Sequence, residues 1–300
     1  MCRRIPYASW VTDERVVQLW GRVAVSYESV VPYFGPMSER LVTTAEIRPG
    51  ERVLDVACGK GGSLVLAAVA AGPEGRVVGV DIVPGMVEAA RLALAAAGCA
   101  NGEAVVMDGG ALEFPDVSFD VVLCANALAF LGMQRALTEF SRVLRPGGRL
   151  LASAPTGAGP DWEFFGQLCE EFGLAPMPLD VLAPREIQAV HHRVGLSGAQ
   201  LVHETIHLDF PDEQTWWRWA WSHGQRWYLE QLPADRVEEF QHRAFEQLQP
   251  LRTDHGIPLD QNFMIAKVNP SARVVAVDSA TGLRPRPVGV HVDAPRTAGL

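Results

Sequence analysis

One stretch near the start of the chain limits what the chain can fold into. Residues 53–62 read VLDVACGKGG, and an apolar, helix-forming run over residues 64–71 follows them. This pattern predicts a buried strand, a tight turn and the start of a helix. Gly59, Gly61 and Gly62 permit positive φ angles and a close approach of the backbone to a ligand, and the first N–H groups of the helix point into the same space. We therefore expect a nucleotide-like ligand at this turn.

Two classes of ligand suit a glycine-rich turn after a strand. A dinucleotide site has the spacing G-x-G-x-x-G, with an acid about 20 residues further on for the ribose. Counted from Gly59 the chain reads GKGGSL, so Leu64 stands where helix and strand must approach closely. Asp55 also lies inside the strand, near the path that a pyrophosphate would take. These positions favour a cationic ligand over a diphosphate.

Four further segments follow in an order that repeats the strand-and-helix pattern. They are residues 76–81 with a helix pattern over 84–91, then residues 103–109, 119–126 and 144–151. Strands and helices alternate with short connections from Val53 to Leu151, which predicts a parallel sheet with helices on both faces. A ligand then belongs outside the carboxyl ends of the strands.

Together the five segments resemble the motifs of the class I S-adenosylmethionine-dependent methyltransferases, of the small-molecule type that acts on quinones, sterols and natural products. The resemblance covers residues 40–155 and implies S-adenosylmethionine as the cofactor. The fold that it implies is α/β and Rossmann-like, with a seven-stranded, mostly parallel sheet and helices on both faces. An N-terminal helical cap and an inserted helical substrate cap complete this expected architecture.

The resemblance also implies roles for individual residues. Asp81 would accept hydrogen bonds from both ribose hydroxyls, which suits a carboxylate because it offers two acceptor oxygens and no donor. Ile82 and Met86 would stack on the adenine, and Asp108 would bind its amino group. The expected cofactor-binding residues are Asp55, Ala57, Cys58, Gly59, Gly61, Asp81, Ile82, Met86, Asp108, Gly109 and Ala125.

The composition of the chain limits the classes of partner that we expect. The net charge of −9, without any basic run, argues against a nucleic-acid substrate. Five cysteines without a C-x-x-C pair are typical of reduced thiols in a cytoplasmic protein, with no metal site. The longest uncharged apolar run, over residues 64–71, is too short to span a bilayer. We expect a cytoplasmic monomer or homodimer that acts on a small molecule, away from membranes.

The pattern of the remaining segments predicts three regions. Residues 1–50 form the helical cap, residues 51–269 the methyltransferase domain and residues 270–300 a loosely held tail. The substrate-covering insert is expected at about 155–182 and 210–258. The predicted elements outside the motif block are helices over 11–30, 37–45, 161–172, 183–194, 212–230 and 233–249, and strands over 199–209 and 262–268.

Catalysis by direct displacement requires alignment of the reactants and exclusion of water, and some acceptors also need a general base. Many related enzymes carry histidines just after the fourth strand, but Ala129 and Phe130 occupy those places here. His223, at the end of a tryptophan-rich helix, is the remaining candidate base because aromatic walls would desolvate its imidazole. The alternative is a histidine bonded to a backbone carbonyl inside an aromatic core.

The tryptophan-rich segment over residues 212–230 holds five of the eight tryptophans. A helix that is apolar on more than one side predicts a second buried surface, so we expect the segment to cover the acceptor pocket and His223 to face that pocket. The expected substrate-pocket residues are Tyr27, Tyr33, Phe130, Trp216 and Trp227. Simple aromatic packing is the alternative for each of them.

These observations predict an enzyme that moves the methyl group of S-adenosylmethionine to an O, N or C atom of a small, hydrophobic or aromatic metabolite, in bacterial secondary metabolism. Two alternatives stay open at this point. One is an S-adenosylmethionine-binding enzyme that catalyses a cyclisation or rearrangement without methyl transfer. The other is an NAD-linked oxidoreductase.

Overall fold

The computed structural model describes residues 13–179 and 198–269, and within them it contains one seven-stranded sheet. Its strands are β1 (Arg52–Val56), β2 (Arg76–Asp81), β3 (Gly102–Val106), β4 (Phe119–Ala125), β5 (Leu144–Gly157), β6 (Gln200–Phe210) and β7 (Ile257–Val268). The order across the sheet is β3-β2-β1-β4-β5-β7-β6, and β7 runs antiparallel to both of its neighbours. The expected mostly parallel, seven-stranded sheet is confirmed.

Nine α-helices lie within the described ranges. They are α1 (Glu14–Val23), α2 (Phe34–Ala45), α3 (Gly62–Ala71), α4 (Pro84–Ala96), α5 (Met133–Val143), α6 (Phe164–Glu171), α7 (Glu213–Ser222), α8 (Arg226–Leu229) and α9 (Val237–Leu248). Among these helices, none combines the length and the apolar character needed to cross a bilayer. The helix expected over 183–194 and the tail expected over 270–300 lie outside the described residues.

Several predicted boundaries differ from those observed. The helix expected over 11–30 ends at Val23, and turns follow before α2 begins at Phe34. The tryptophan-rich helix is interrupted at His223, whose backbone is extended, and resumes as α8. The last strand begins at Ile257 because it pairs with the whole of β6, a partner that periodicity within the strand cannot reveal.

The core has two halves, one on each face of the sheet. Val53 belongs to the half that packs under α2, α3 and α4, whereas Leu54 and Val56 belong to the half that packs under α5. Consecutive residues of a strand point to opposite faces, and so an unbroken apolar strand is buried on both sides. Four cysteines in the described ranges are free thiols, three of them buried.

The order of the strands in the sheet determines where the site lies. From β1 the chain proceeds outward through β2 to β3 on one side, and β4 and β5 lie on the other side. Helices that follow β1 and β4 therefore leave the sheet in opposite directions, and a crevice opens at the carboxyl ends of these two strands. The glycine turn after β1 and residues 126–131 after β4 border this crevice.

Candidate active site

A cavity of about 110 Å³ occupies this crevice. Its floor consists of residues that follow the strands, and its other walls come from α1, from Tyr27 in the turns between α1 and α2, and from Phe34 at the start of α2. The rings of Trp20, Tyr27 and Phe130 pack edge to face, with Trp20 5.8 Å from Tyr27 and 5.7 Å from Phe130. The cavity is smaller than the roughly 300–1,000 Å³ of most small-molecule sites.

The glycine turn has the backbone geometry that its sequence predicts. Gly59 and Gly61 have φ angles of 54° and 91°, and Ala57 adopts a φ of 55° although it carries a Cβ. A Cβ on Gly59 would meet nothing within 4 Å, whereas a Cβ on Gly61 would lie 3.2 Å from the Ala90 backbone in α4. Gly59 thus leaves backbone open toward the cavity, and Gly61 allows α3 to start against α4.

Asp81, at the end of β2, supplies the charge of the cavity. It is 8% exposed, and its Oδ1 and Oδ2 accept backbone hydrogen bonds from Val83 and Gly59, each at 2.9 Å. Burial raises the pKa of this carboxyl, and the backbone donors oppose that rise. Each carboxylate oxygen can accept more than one hydrogen bond, so both remain able to accept from a ligand.

Asp55 lies beneath the turn and does not line the cavity. Its Oδ2 accepts a hydrogen bond of 2.8 Å from the Ser63 hydroxyl on α3, and its Oδ1 has no partner. Complete burial raises the pKa of Asp55 to about 7. Cys58 and Gly61 also lie outside the lining, and the Cys58 N–H donates to the Val80 carbonyl at 3.0 Å.

Asp108 is likewise outside the lining, although its neighbours Met107 and Gly109 are part of it. One carboxylate oxygen accepts from the Gly110 N–H at 2.8 Å, and the other pairs with the Arg135 guanidinium at 2.9 Å. Sequence analysis could not predict this ion pair because Arg135 belongs to α5, beyond the next strand.

The cavity contains part of the expected set together with residues that the sequence analysis missed. Of the expected residues it includes Ala57, Gly59, Asp81, Ile82, Met86, Gly109, Ala125, Tyr27 and Phe130. The missed residues are Val16, Val17, Trp20, Val83, Met107, Asn126, Ala127 and Leu131. A polar residue placed directly after an apolar strand could have indicated Asn126, and the helical spacing of Val16, Val17 and Trp20 could have indicated a shared face.

His223 is 2% exposed and does not line the cavity. Its Nδ1 lies 2.8 Å from the Ser222 hydroxyl and 3.1 Å from the Trp219 carbonyl, and its Nε2 lies 3.3 Å from Glu28 Oε1. The rings of Tyr27 and Phe34, which do line the cavity, pack against the imidazole at 5.3 and 5.7 Å. The expectation that His223 faces the pocket is therefore not met, because both nitrogens are engaged behind these rings.

Glu28 connects His223 to the start of α2. Its carboxylate accepts backbone N–H bonds from Tyr33, Phe34 and Gly35 at 2.9–3.1 Å, an arrangement that favours a negative charge at a helix N-terminus. Lys60, within the glycine turn, donates to the Tyr27 carbonyl at 3.0 Å. Residues 24–33, which we call the cap segment, are thus held over the cavity from two sides.

The other expected pocket aromatics pack elsewhere. Trp216 is fully buried against Phe164 and Phe165, and the Trp227 indole donates to the Ala175 carbonyl at 3.1 Å. The Tyr33 hydroxyl donates to Gln261 at 2.7 Å beneath the cap segment. Helix α9 supplies the second apolar surface that the tryptophans require.

Comparisons with known proteins relate the chain to methyltransferases. A family model described as a methyltransferase domain matches residues 53–148. Nocamycin O-methyltransferase from Saccharothrix syringae is 31% identical over 246 residues, which span 73% of this chain and 85% of that protein. Aklanonic acid methyltransferase DauC from Streptomyces sp. strain C5 is 38% identical over 144 residues, covering 47% of this chain and 66% of its own length.

Solved structures share the fold at low identity. The [4+2]-cyclase SpnF superposes with a TM-score of 0.56 at 15% identity, covering 88% of this chain and 98% of SpnF. YcgJ from Bacillus subtilis superposes with a TM-score of 0.52 at 22% identity, covering 78% of this chain and 98% of YcgJ. At these identities the likeness concerns the fold alone.

Proposed function

The chain belongs to the class I S-adenosylmethionine-dependent methyltransferases of small molecules, and from this premise we propose that it methylates an oxygen atom of a flat, hydrophobic metabolite in bacterial secondary metabolism. The observation that carries the proposal is the cavity, which combines a single carboxylate with apolar and aromatic walls. The choice of oxygen is supported by the relative named as an O-methyltransferase, which aligns over 85% of its length.

The cofactor side of the cavity fits S-adenosylmethionine, which supplies an electrophilic methyl group on a sulfonium centre when bound. No cationic side chain is among the described residues that line the cavity, and Asp81 is the one acid there. The NAD-linked alternative is disfavoured because the relatives of this chain are named as methyltransferases.

We assign the ribose hydroxyls to Asp81 and the adenine to the apolar side chains of Ile82 and Met86. Asp81 suits this role because Gly59 and Val83 fix both of its oxygens in place before the ligand arrives. Backbone groups at Gly59 and Ala125 border the remainder of the cofactor site.

Two of the expected acids act from outside the cavity in this proposal. Asp55 holds Ser63 in the first turn of α3, and Asp108, paired with Arg135, holds the loop that carries Met107 and Gly109. Both acids then shape the walls of the site and do not contact the cofactor directly.

The acceptor side is formed by Trp20, Tyr27 and Phe130. Their rings pack edge to face in the cavity wall, where they would contact a flat acceptor and exclude water from the transferring methyl group. Rearrangement without methyl transfer has no support beyond the likeness to SpnF, which extends to the fold alone.

Methyl-labelled S-adenosylmethionine tests the proposal. The protein would be incubated with a panel of phenols, hydroxyquinones, amines and polyketide-like compounds, and products would be analysed by mass spectrometry. We expect the label on an oxygen of one acceptor, together with an equal amount of S-adenosylhomocysteine. Label on nitrogen or carbon would contradict the oxygen assignment, and acceptor turnover with all label left on the cofactor would indicate a rearrangement.

A further inference from the structure

Asn126 follows β4 directly and lines the cavity. It adopts a φ of 53°, a left-handed conformation that asparagine adopts more readily than most other residues with a Cβ. Its N–H donates to the Ser153 carbonyl on β5 at 3.0 Å. This bond anchors the turn after β4 to the sheet.

Only one end of the side-chain amide of Asn126 has a hydrogen-bond partner. Its Oδ1 accepts a hydrogen bond of 3.1 Å from the buried Ser153 hydroxyl. Its Nδ2 is buried and has no hydrogen-bond partner. An unpaired buried donor destabilises the protein, and nearly all such groups in folded proteins have partners. Asn126 lines the cavity, so a small shift of its side chain would bring Nδ2 to an acceptor atom of a ligand there.

The order of the strands indicates whether this ligand is the cofactor or the acceptor. Asp81, Ile82 and Met86, to which we assign the ribose and the adenine, follow β2 on one side of β1. Asn126 follows β4 on the opposite side of β1, where its neighbours in the lining are Ala127 and Phe130. Asn126 therefore belongs to the acceptor end of the cavity.

The charges of the lining narrow the chemistry of the acceptor. Among the described residues of the lining, the titratable groups are Asp81 and Tyr27. Asp81 already accepts two backbone N–H bonds, and burial raises the pKa of the Tyr27 phenol well above its usual value. Neither group is suited to remove a proton from an acceptor at neutral pH. An acceptor that is ionised before it binds needs no such base.

We propose that Asn126 is a specificity-determining residue whose Nδ2 donates a hydrogen bond to a carbonyl oxygen of the acceptor, and that the acceptor is a conjugated enol or phenol that binds as its anion. This inference rests on the proposed function. The anionic oxygen forms a bond to the methyl carbon while the carbon–sulfur bond breaks, the electron pair of that bond stays on sulfur, and no proton moves. A neutral amide orients such an acceptor and leaves the charge of its nucleophilic oxygen intact. A lysine in the same place would neutralise that charge.

Stability without ligand gives the first test. The variants are S153A and the double variant N126G/S153A, because Gly tolerates the φ of Asn126 and the S153A background leaves no serine hydroxyl unpaired. Loss of the unpaired donor should leave the double variant with an unfolding midpoint equal to or above that of S153A. A midpoint clearly below that of S153A would assign the amide to the fold and overturn the proposal.

Two probes give the second test. 2-Hydroxy-1,4-naphthoquinone carries a carbonyl beside an acidic enol. 2-Naphthol has the same carbon skeleton without the carbonyl, and the assays are run at a pH above the pKa of its hydroxyl so that both probes bind as anions. Loss of one hydrogen bond in N126G should lower kcat/KM for the first probe by about 10- to 100-fold relative to the second. Calorimetry should show unchanged affinity for S-adenosylmethionine, and weakened affinity would assign Asn126 to the cofactor instead.

Experiments on the wild-type protein distinguish a failure of the acceptor assignment from a failure of the proposed function. If it binds S-adenosylmethionine but neither binds nor methylates 2-hydroxy-1,4-naphthoquinone, the enol class is overturned while the cofactor assignment stands. If it does not bind S-adenosylmethionine, the proposed function itself fails.

Discussion

The buried carboxyl of Asp55 should make the stability of this protein fall as the pH rises. Burial raises the pKa of Asp55 from 3.8 to about 7 in the folded state. Between these values the folded state holds a proton that the unfolded state has lost, so the unfolded state gains relative stability with rising pH. The full difference corresponds to about 4 kcal/mol, at 1.36 kcal/mol per pH unit.

Replacing Asp55 with Asn removes the ionisation and keeps the shape of the side chain. Between pH 5 and pH 8 the proton difference amounts to about 3 kcal/mol, so the free energy of unfolding of D55N should gain about that much on the wild type over this range. Urea unfolding at both pH values measures the two free energies. D120N is a matched control, because Asp120 also accepts a backbone N–H, from Arg52 at 2.8 Å, but is partly exposed and remote from the turn.

A constant difference between D55N and the wild type at the two pH values would refute this reasoning. It would mean that Asp55 stays ionised in the folded protein at pH 5, with Ser63 or water compensating for burial. A similar pH-dependent gain in D120N would show that the effect comes from the overall negative charge of the protein and not from the site.

Three further results should follow from the geometry. D81A should weaken calorimetric binding of S-adenosylmethionine by about 1–3 kcal/mol, the worth of its bonds to the ribose, whereas D120A should not. H223Q should lower the free energy of unfolding by about 1–3 kcal/mol in denaturant titrations, because the buried partners of His223 lose their hydrogen bonds. The folded variant should keep its turnover. A 100-fold loss of turnover would instead support His223 as a general base. K60M should speed cofactor release in stopped-flow tryptophan fluorescence by freeing the Tyr27 carbonyl, and K267M, which frees the Thr44 carbonyl away from the cavity, should not.

Much of the fold and of the cofactor side of the site could be predicted from local patterns. The turn at 57–62, the acid at the end of β2 and the alternation of strands and helices all depend on residues close together in the chain. Positive φ at Gly59 and Gly61 follows directly from the sequence, because glycine alone adopts such angles freely.

The acceptor side could not be predicted in the same way. The tryptophan-rich segment requires burial on more than one side, but periodicity does not state which element provides it. Helix α9 packs against Trp217 through Phe240 and Phe245, and none of the five tryptophans of the segment lines the cavity. His223 likewise meets Glu28, 195 positions away in the chain, at 3.3 Å.

By itself the sequence determined the sheet, the glycine turn and the class of cofactor, because each depends on short-range spacing that has few structural solutions. Only the tertiary structure decided that Asp55 is buried under the turn, that His223 lies behind the cap segment and that the Asn126 amide has an unpaired donor in the cavity wall. Burial and hydrogen-bond partners are set by segments that are distant in the chain and meet only when the protein folds.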